Sequence, residues 1–187
     1  MDFIPESSRY EAQEVPFFDD VTGEGGWQGH TTSKSLDTLK SEVMISISRL
    51  GGLVTGFQRG TFVIGSQKRE GFQVHYVIER ETDGVMFRGR IDVAALPVKD
   101  DSRLRRSYNK RRERSLKMAL YMLRNALDGT WFLQQVSPGY APLMPWMLEE
   151  QSGKTVSQLW SESAMMGRLL PAGEGEFVEG EFTEEEE

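Results

Sequence analysis

The chain has no cysteine among its 187 residues and only two histidines, His30 and His75. The first absence excludes disulfides, thiolate metal sites and a cysteine nucleophile. The second leaves too little imidazole for a catalytic triad or a histidine-ligated metal centre. No apolar run approaches the ~20 residues that cross a bilayer, and the opening Met-Asp-Phe-Ile-Pro-Glu lacks the positive start of a signal peptide. A cytoplasmic protein without membrane contact is expected. Neither a Walker loop nor a dinucleotide-binding glycine fingerprint is present. Asp92 and Lys99 supply part of a nuclease's carboxylate-and-lysine set, but the second acid beside the lysine is missing. The sequence therefore argues against an enzyme and calls for no metal and no cofactor.

What is abundant is charge, and it is segregated. Seven of the twelve residues 103–114 are Arg or Lys, and eight of the last fourteen, 174–187, are Glu. The formal charge of −7 thus conceals a net basic middle, because the first twenty residues also carry six acids against one Arg. These differences divide the chain into an acidic, aromatic and flexible arm (1–33), one α+β domain (34–171) and a disordered acidic tail (172–187). A single domain of this length is large enough to bury a core.

Within the domain, Leu36, Leu39, Val43, Ile47 and Leu50 follow helical spacing and predict an amphipathic helix over 35–50, ended by Gly51-Gly52. Three strands are expected at 54–64, 72–79 and 85–93. In the last two, apolar and polar residues alternate and Thr82-Asp83-Gly84 makes a hairpin turn. Gly60 reads as a bulge or a point of close approach in the first strand. The result is a small three-stranded antiparallel meander. Asp100-Asp101-Ser102 then opens a long helix over 103–127, with Asp128-Gly129 as its stop. Residues 130–153, with three prolines, Trp131, Tyr140 and Trp146, read as a structured connector. A further C-terminal helix begins at Thr155, whose capping box with Gln158 marks its start, and runs to Gly167.

The candidate site lies on the long helix. Arg103, Arg105, Arg106, Lys110, Arg111, Arg112, Arg114 and Lys117 spread around it. Arg103, Arg106, Lys110, Arg114 and Lys117 recur at i, i+3, i+7, i+11 and i+14 as one stripe that could follow a chain of phosphates. Only Glu113 interrupts the run, so no local counter-charge is expected. Arg88 and Arg90 on the third strand, beside Gln73 and His75, would extend the groove, with Tyr108 as an aromatic contact. Single-stranded nucleic acid is the expected partner. A solvated cationic face and an acidic protein partner stay open beside it. Phe177, Phe182, Glu184, Glu185, Glu186 and Glu187 of the tail are candidates for recruiting partner proteins, against a purely solubilising role; a homo-oligomeric state is left open.

Three resemblances bear on this. The order of helix, meander and long helix, with Asn109-Lys110-Arg111-Arg112 followed by an Ala/Leu-rich face from Leu116 to Leu127, is similar to the core of ring-forming single-strand annealing proteins of phages and eukaryotes. The tail resembles the acidic ends of phage and bacterial single-strand-binding proteins, which implies partner recruitment and competition for a basic groove. Gly153-Lys154-Thr155-Val156 and Leu169-Leu170-Pro171 look like the closing segment of small uncharacterised proteins from phages and mobile elements, although the acidic tail departs from that pattern. This last resemblance implies no established activity; the first two imply DNA binding in recombination or replication. The alternative is a non-enzymatic interaction subunit that recruits partners through its arm and tail.

Overall fold

The computed structural model describes residues 15–64, 67–80, 83–100, 102–137 and 139–162. The acidic tail, with Phe177, Phe182 and Glu184 to Glu187, and the arm before residue 15 lie outside the described residues, as does the C-terminal helix beyond Glu162.

The expected amphipathic helix is α1 (Leu36–Arg49). Ser35 caps it, its hydroxyl accepting from the Thr38 amide at 3.1 Å, and Gly51 ends it with φ +87°, a conformation that favours glycine. Leu39, Val43 and Ile47 are fully buried, as their spacing requires. Three strands follow, β1 (Gly52–Ile64), β2 (Gln67–Glu79) and β3 (Met86–Ala94), antiparallel and in the order β1-β2-β3. The bulge lies at Thr55, between the Val54 and Gly56 pairings. Gly60 sits in regular register opposite Gly71 with open space over its Cα, so the special role expected for it falls elsewhere. Gly89 does have one: a Cβ there would meet the Tyr76 ring at 2.1 Å.

Alternation along β2 sorts the sheet into two faces. Phe72, Val74 and Tyr76 point one way, and with Ile91 of β3 they pack beneath the helices. Gln73, His75 and Val77 point the other way, paired with Asp92, Arg90 and Arg88. Burial of Tyr76 pushes its phenol up, and its hydroxyl is satisfied by the Leu143 carbonyl at 2.9 Å.

The covering helix is α2 (Tyr108–Val136), and it differs from expectation at both ends. Residues Ser102–Ser107 form a 3₁₀ segment instead of its first turns. Asp128-Gly129 does not stop it. The Asp128 carboxylate accepts from the Ser46 hydroxyl at 2.8 Å and faces Arg124 at 3.0 Å and Arg49 at 3.6 Å, tying α2 to α1. One turn later Trp131 packs against the core under the Arg49 guanidinium, 4.3 Å from its ring. Packing of a large aromatic, worth about 1.5–3 kcal/mol when complete, outweighs the ~1 kcal/mol that a mid-helix glycine costs.

The described half of the arm belongs to the domain. Phe18 and Val21 are buried against Leu96 and Met118, the Phe18 amide donates to the Pro97 carbonyl at 2.8 Å, and its ring stacks on His30 at 4.6 Å. Residues 15–33 are thus a strap across the helix–sheet junction. At the other end, short bridges join Met147 to Gly89 and Leu148 to Thr155, laying the connector along β3. The short helix α3 (Val156–Glu162) begins with the expected capping box: the Gln158 amide donates to the Thr155 hydroxyl at 3.2 Å, and the Thr155 amide to the Gln158 side chain at 3.0 Å. The architecture is α+β. No helix among the described residues is long and apolar enough to cross a membrane.

Candidate nucleic-acid interface

A cation already matched within its own fold is less available to a polyanion, so each member of the basic run is characterised by what it touches. Arg111 is turned inward. Its guanidinium donates to Asp19 at 2.7 Å, to the Lys99 carbonyl at 3.3 Å and to the Ser107 hydroxyl at 3.3 Å. Both side chains of the ion pair are nearly buried, at 12% and 13% exposure, and the second Asp19 oxygen accepts from the Lys99 amide at 2.9 Å. This is a clasp that fixes the strap to the start of α2.

Arg112 is also matched, to Glu70 of β2, which takes Arg59 at 3.0 Å on its other side. Burial pushes the Glu70 carboxyl up, but hydrogen bonds and charge from Arg112 and Arg59 overcome it and hold the group below the usual carboxylate range. Arg112 is raised in turn, chiefly by its hydrogen bond to Glu70. Lys117 pairs with Glu113 at 3.0 Å across one helical turn. The expectation of no local counter-charge fails at Lys117, and Arg111 and Arg112 are matched by acids from elsewhere in the fold. Two of the three acids come from far along the chain, where helical spacing gives no sign of them.

Four cations escape this matching. Arg105, Arg106, Lys110 and Arg114 are exposed and have no ion-pair or hydrogen-bond partner among the described residues. Arg103 is exposed but engaged within the molecule. The five-residue stripe becomes two pieces. In the 3₁₀ segment, three residues per turn stack Arg103 above Arg106; on α2, Lys110 and Arg114 stand one turn apart, about 6 Å along the axis. Tyr108 is half-buried between the pieces, with the Arg111 guanidinium 5.9 Å from its ring centre.

Arg88 and Arg90 do not extend this surface. Their pairing with Val77 and His75 places them on the face of the sheet away from α2. Arg90 is held by Asp92 at 3.1 Å and by Gln158 of α3 at 3.3 Å. The Arg88 guanidinium is exposed without a partner among the described residues and borders a separate hollow of about 570 Å³ with Thr55, His75 and Leu148. A continuous groove from helix to sheet is thus replaced by two cationic surfaces with the sheet between them.

Sequence reasoning missed Asp19 and Glu70. Asp19-Asp20 was visible as an acidic pair, but nothing local indicated that it faces Arg111 and Lys99. Among the described residues, no group of three or more His, Asp or Glu could hold a metal ion. Compared with known proteins, the chain matches no family model, no curated protein and no solved structure.

Proposed function

We propose that the protein binds nucleic acid, single strands in preference, through the exposed cations at the start of α2. The observation that carries this reading is the contrast inside one short run. Arg105, Arg106, Lys110 and Arg114 stay exposed and unmatched among the described residues, while Arg111, Arg112 and Lys117 are tied to carboxylates. Four cations over about three turns form a surface suited to a row of phosphates, whose affinity comes from released counterions. The preference for an unpaired strand rests on Tyr108 and the nearby guanidinium groups, since exposed bases stack on such planes. Annealing, recombination or replication on a phage or mobile-element genome follows from the layout resemblance and belongs to the same proposal.

A second reading has its own observation. Phe132, Leu133 and Val136 on the last turns of α2 are 66%, 49% and 74% exposed, an apolar end that suits a protein partner. A mobility shift with labelled single-stranded and duplex oligonucleotides, with and without residues 174–187, separates the two. The nucleic-acid reading predicts a shift, stronger for the single strand and tighter once the eight glutamates are removed. No shift at low salt by either protein leaves the interaction-subunit reading in its place.

A further inference from the structure

Beside the exposed cations, β2, the loop before the 3₁₀ segment and the first turns of α2 enclose a small polar hollow. Its volume is about 90 Å³, and Lys68, Arg69, Glu70, Tyr108 and Arg112 supply its charged and hydroxyl lining. That volume suits a single small oxyanion. Three cations and one carboxylate line it, and the carboxylate is shared between Arg112 and a fourth cation, Arg59.

The donors in this hollow differ in how far they are used. Arg69 is spent: its guanidinium, lowered by burial, donates to the Ala95 and Ala94 carbonyls at 2.9 and 3.1 Å. The Lys68 ammonium and the Tyr108 hydroxyl have no hydrogen-bond partner among the described residues. Arg112 is half used. Its terminal nitrogen meets Glu70, while its Nε–H is buried with no acceptor. An unfilled donor on a charged, buried edge is a standing cost that an incoming acceptor removes.

We infer that this hollow is a phosphate-binding site, in which Arg112 exchanges Glu70 for the anion and Lys68 and Tyr108 complete the coordination. Turning the guanidinium offers its Nε and terminal N–H edge as a two-pronged donor, the geometry that matches phosphate oxygens. Glu70 is not stranded by the exchange, because Arg59 already holds its other oxygen at 3.0 Å. The site rests on the nucleic-acid reading for its physiological source, a strand phosphate, but its chemistry is that of any phosphate group.

The test follows the Arg112 Nε–H resonance of the full chain during titration with sodium phosphate, against sodium chloride at matched ionic strength. The inference predicts a saturable shift with phosphate only, about tenfold weaker in Lys68→Gln, an exposed position whose change leaves folding intact. Glu70→Gln, which removes the competing charge, tightens it. A 5′-phosphorylated oligonucleotide that reproduces the shift identifies a strand phosphate as the source; a shift with inorganic phosphate alone identifies the free ion, and both uphold the site. A shift that never saturates, or one equal in Lys68→Gln, overturns it. Retained oligonucleotide binding in that case leaves the exposed-cation reading standing.

Discussion

The two sides of the basic run, from the 3₁₀ segment into the first turns of α2, carry the same residue types and behave as opposites. On the inner side, Arg111 and Arg112 reach back to Asp19 and Glu70, acids from the strap and from β2, and work as parts of the fold. On the outer side, Arg106, Lys110 and Arg114 stand in water without a partner among the described residues. For Arg111, whose side chain is 12% exposed, the difference is burial; Arg112, at 40%, is matched at the surface by a carboxylate that the sheet holds in reach. A guanidinium removed from water requires a carboxylate and filled donors, whereas an exposed one is stable alone. Density of positive charge in a sequence therefore measures two things at once, and only the fold separates them.

The largest way to break this comparison is through the clasp. Asp19→Ala leaves Arg111 nearly buried without its counter-charge, and a loss of about 3 kcal/mol of stability is expected, read as a lower denaturant midpoint. Arg106→Gln, on the outer side, is expected to change the midpoint by less than about 0.5 kcal/mol. Equal losses at both positions would remove the distinction.

A second, smaller effect is pH-dependent. The Glu70 carboxyl is held below its ordinary value in the folded chain, so the unfolded chain binds its proton more readily. Its contribution is complete above the unfolded carboxylate range, roughly pH 4.3, and is lost as pH falls through the folded value. Acid titration of stability in Glu70→Gln is expected to be flatter in that window than in the parent; an identical profile would show that the pairing with Arg112 and Arg59 adds nothing. Smaller still is Lys117→Gln. Its exposed partner Glu113 one turn away supports only about 0.2–0.5 kcal/mol, so thermal melts of variant and parent should nearly coincide.

The parts of the fold that could be read from the sequence are those written in short-range patterns. The Leu39, Val43, Ile47 stripe, the alternation of β2 and β3, and the Thr155–Gln158 capping box each repeat within a few residues, and each appears where it was expected. What escaped depends on distant partners. Asp128 looks like a helix stop until Ser46 and Arg49 of α1 are placed against it, and Gly129 looks like a terminator until Trp131 is seen packed beyond it. Arg88 and Arg90 shared a polar face in the alternation, as expected, but which face the helix covers is a property of the packed sheet. For the candidate site the legible part was the presence of the cations, and the illegible part was their assignment to solvent or to the fold.

That assignment is most directly tested by salt dependence. Binding of a fluorescent single-stranded oligonucleotide is measured across salt concentrations for the parent, for Arg106→Gln/Lys110→Gln/Arg114→Gln, and for Arg112→Gln/Lys117→Gln. At about 0.7 per neutralised phosphate on a single strand, the outer triple variant is expected to lower the slope of log K against log salt by about 2. The Arg112/Lys117 double variant is expected to lower it by no more than the ~0.7 of the single phosphate inferred at Arg112, less than 1. Unchanged slopes in the triple variant, or a larger fall in the double variant, would contradict the account.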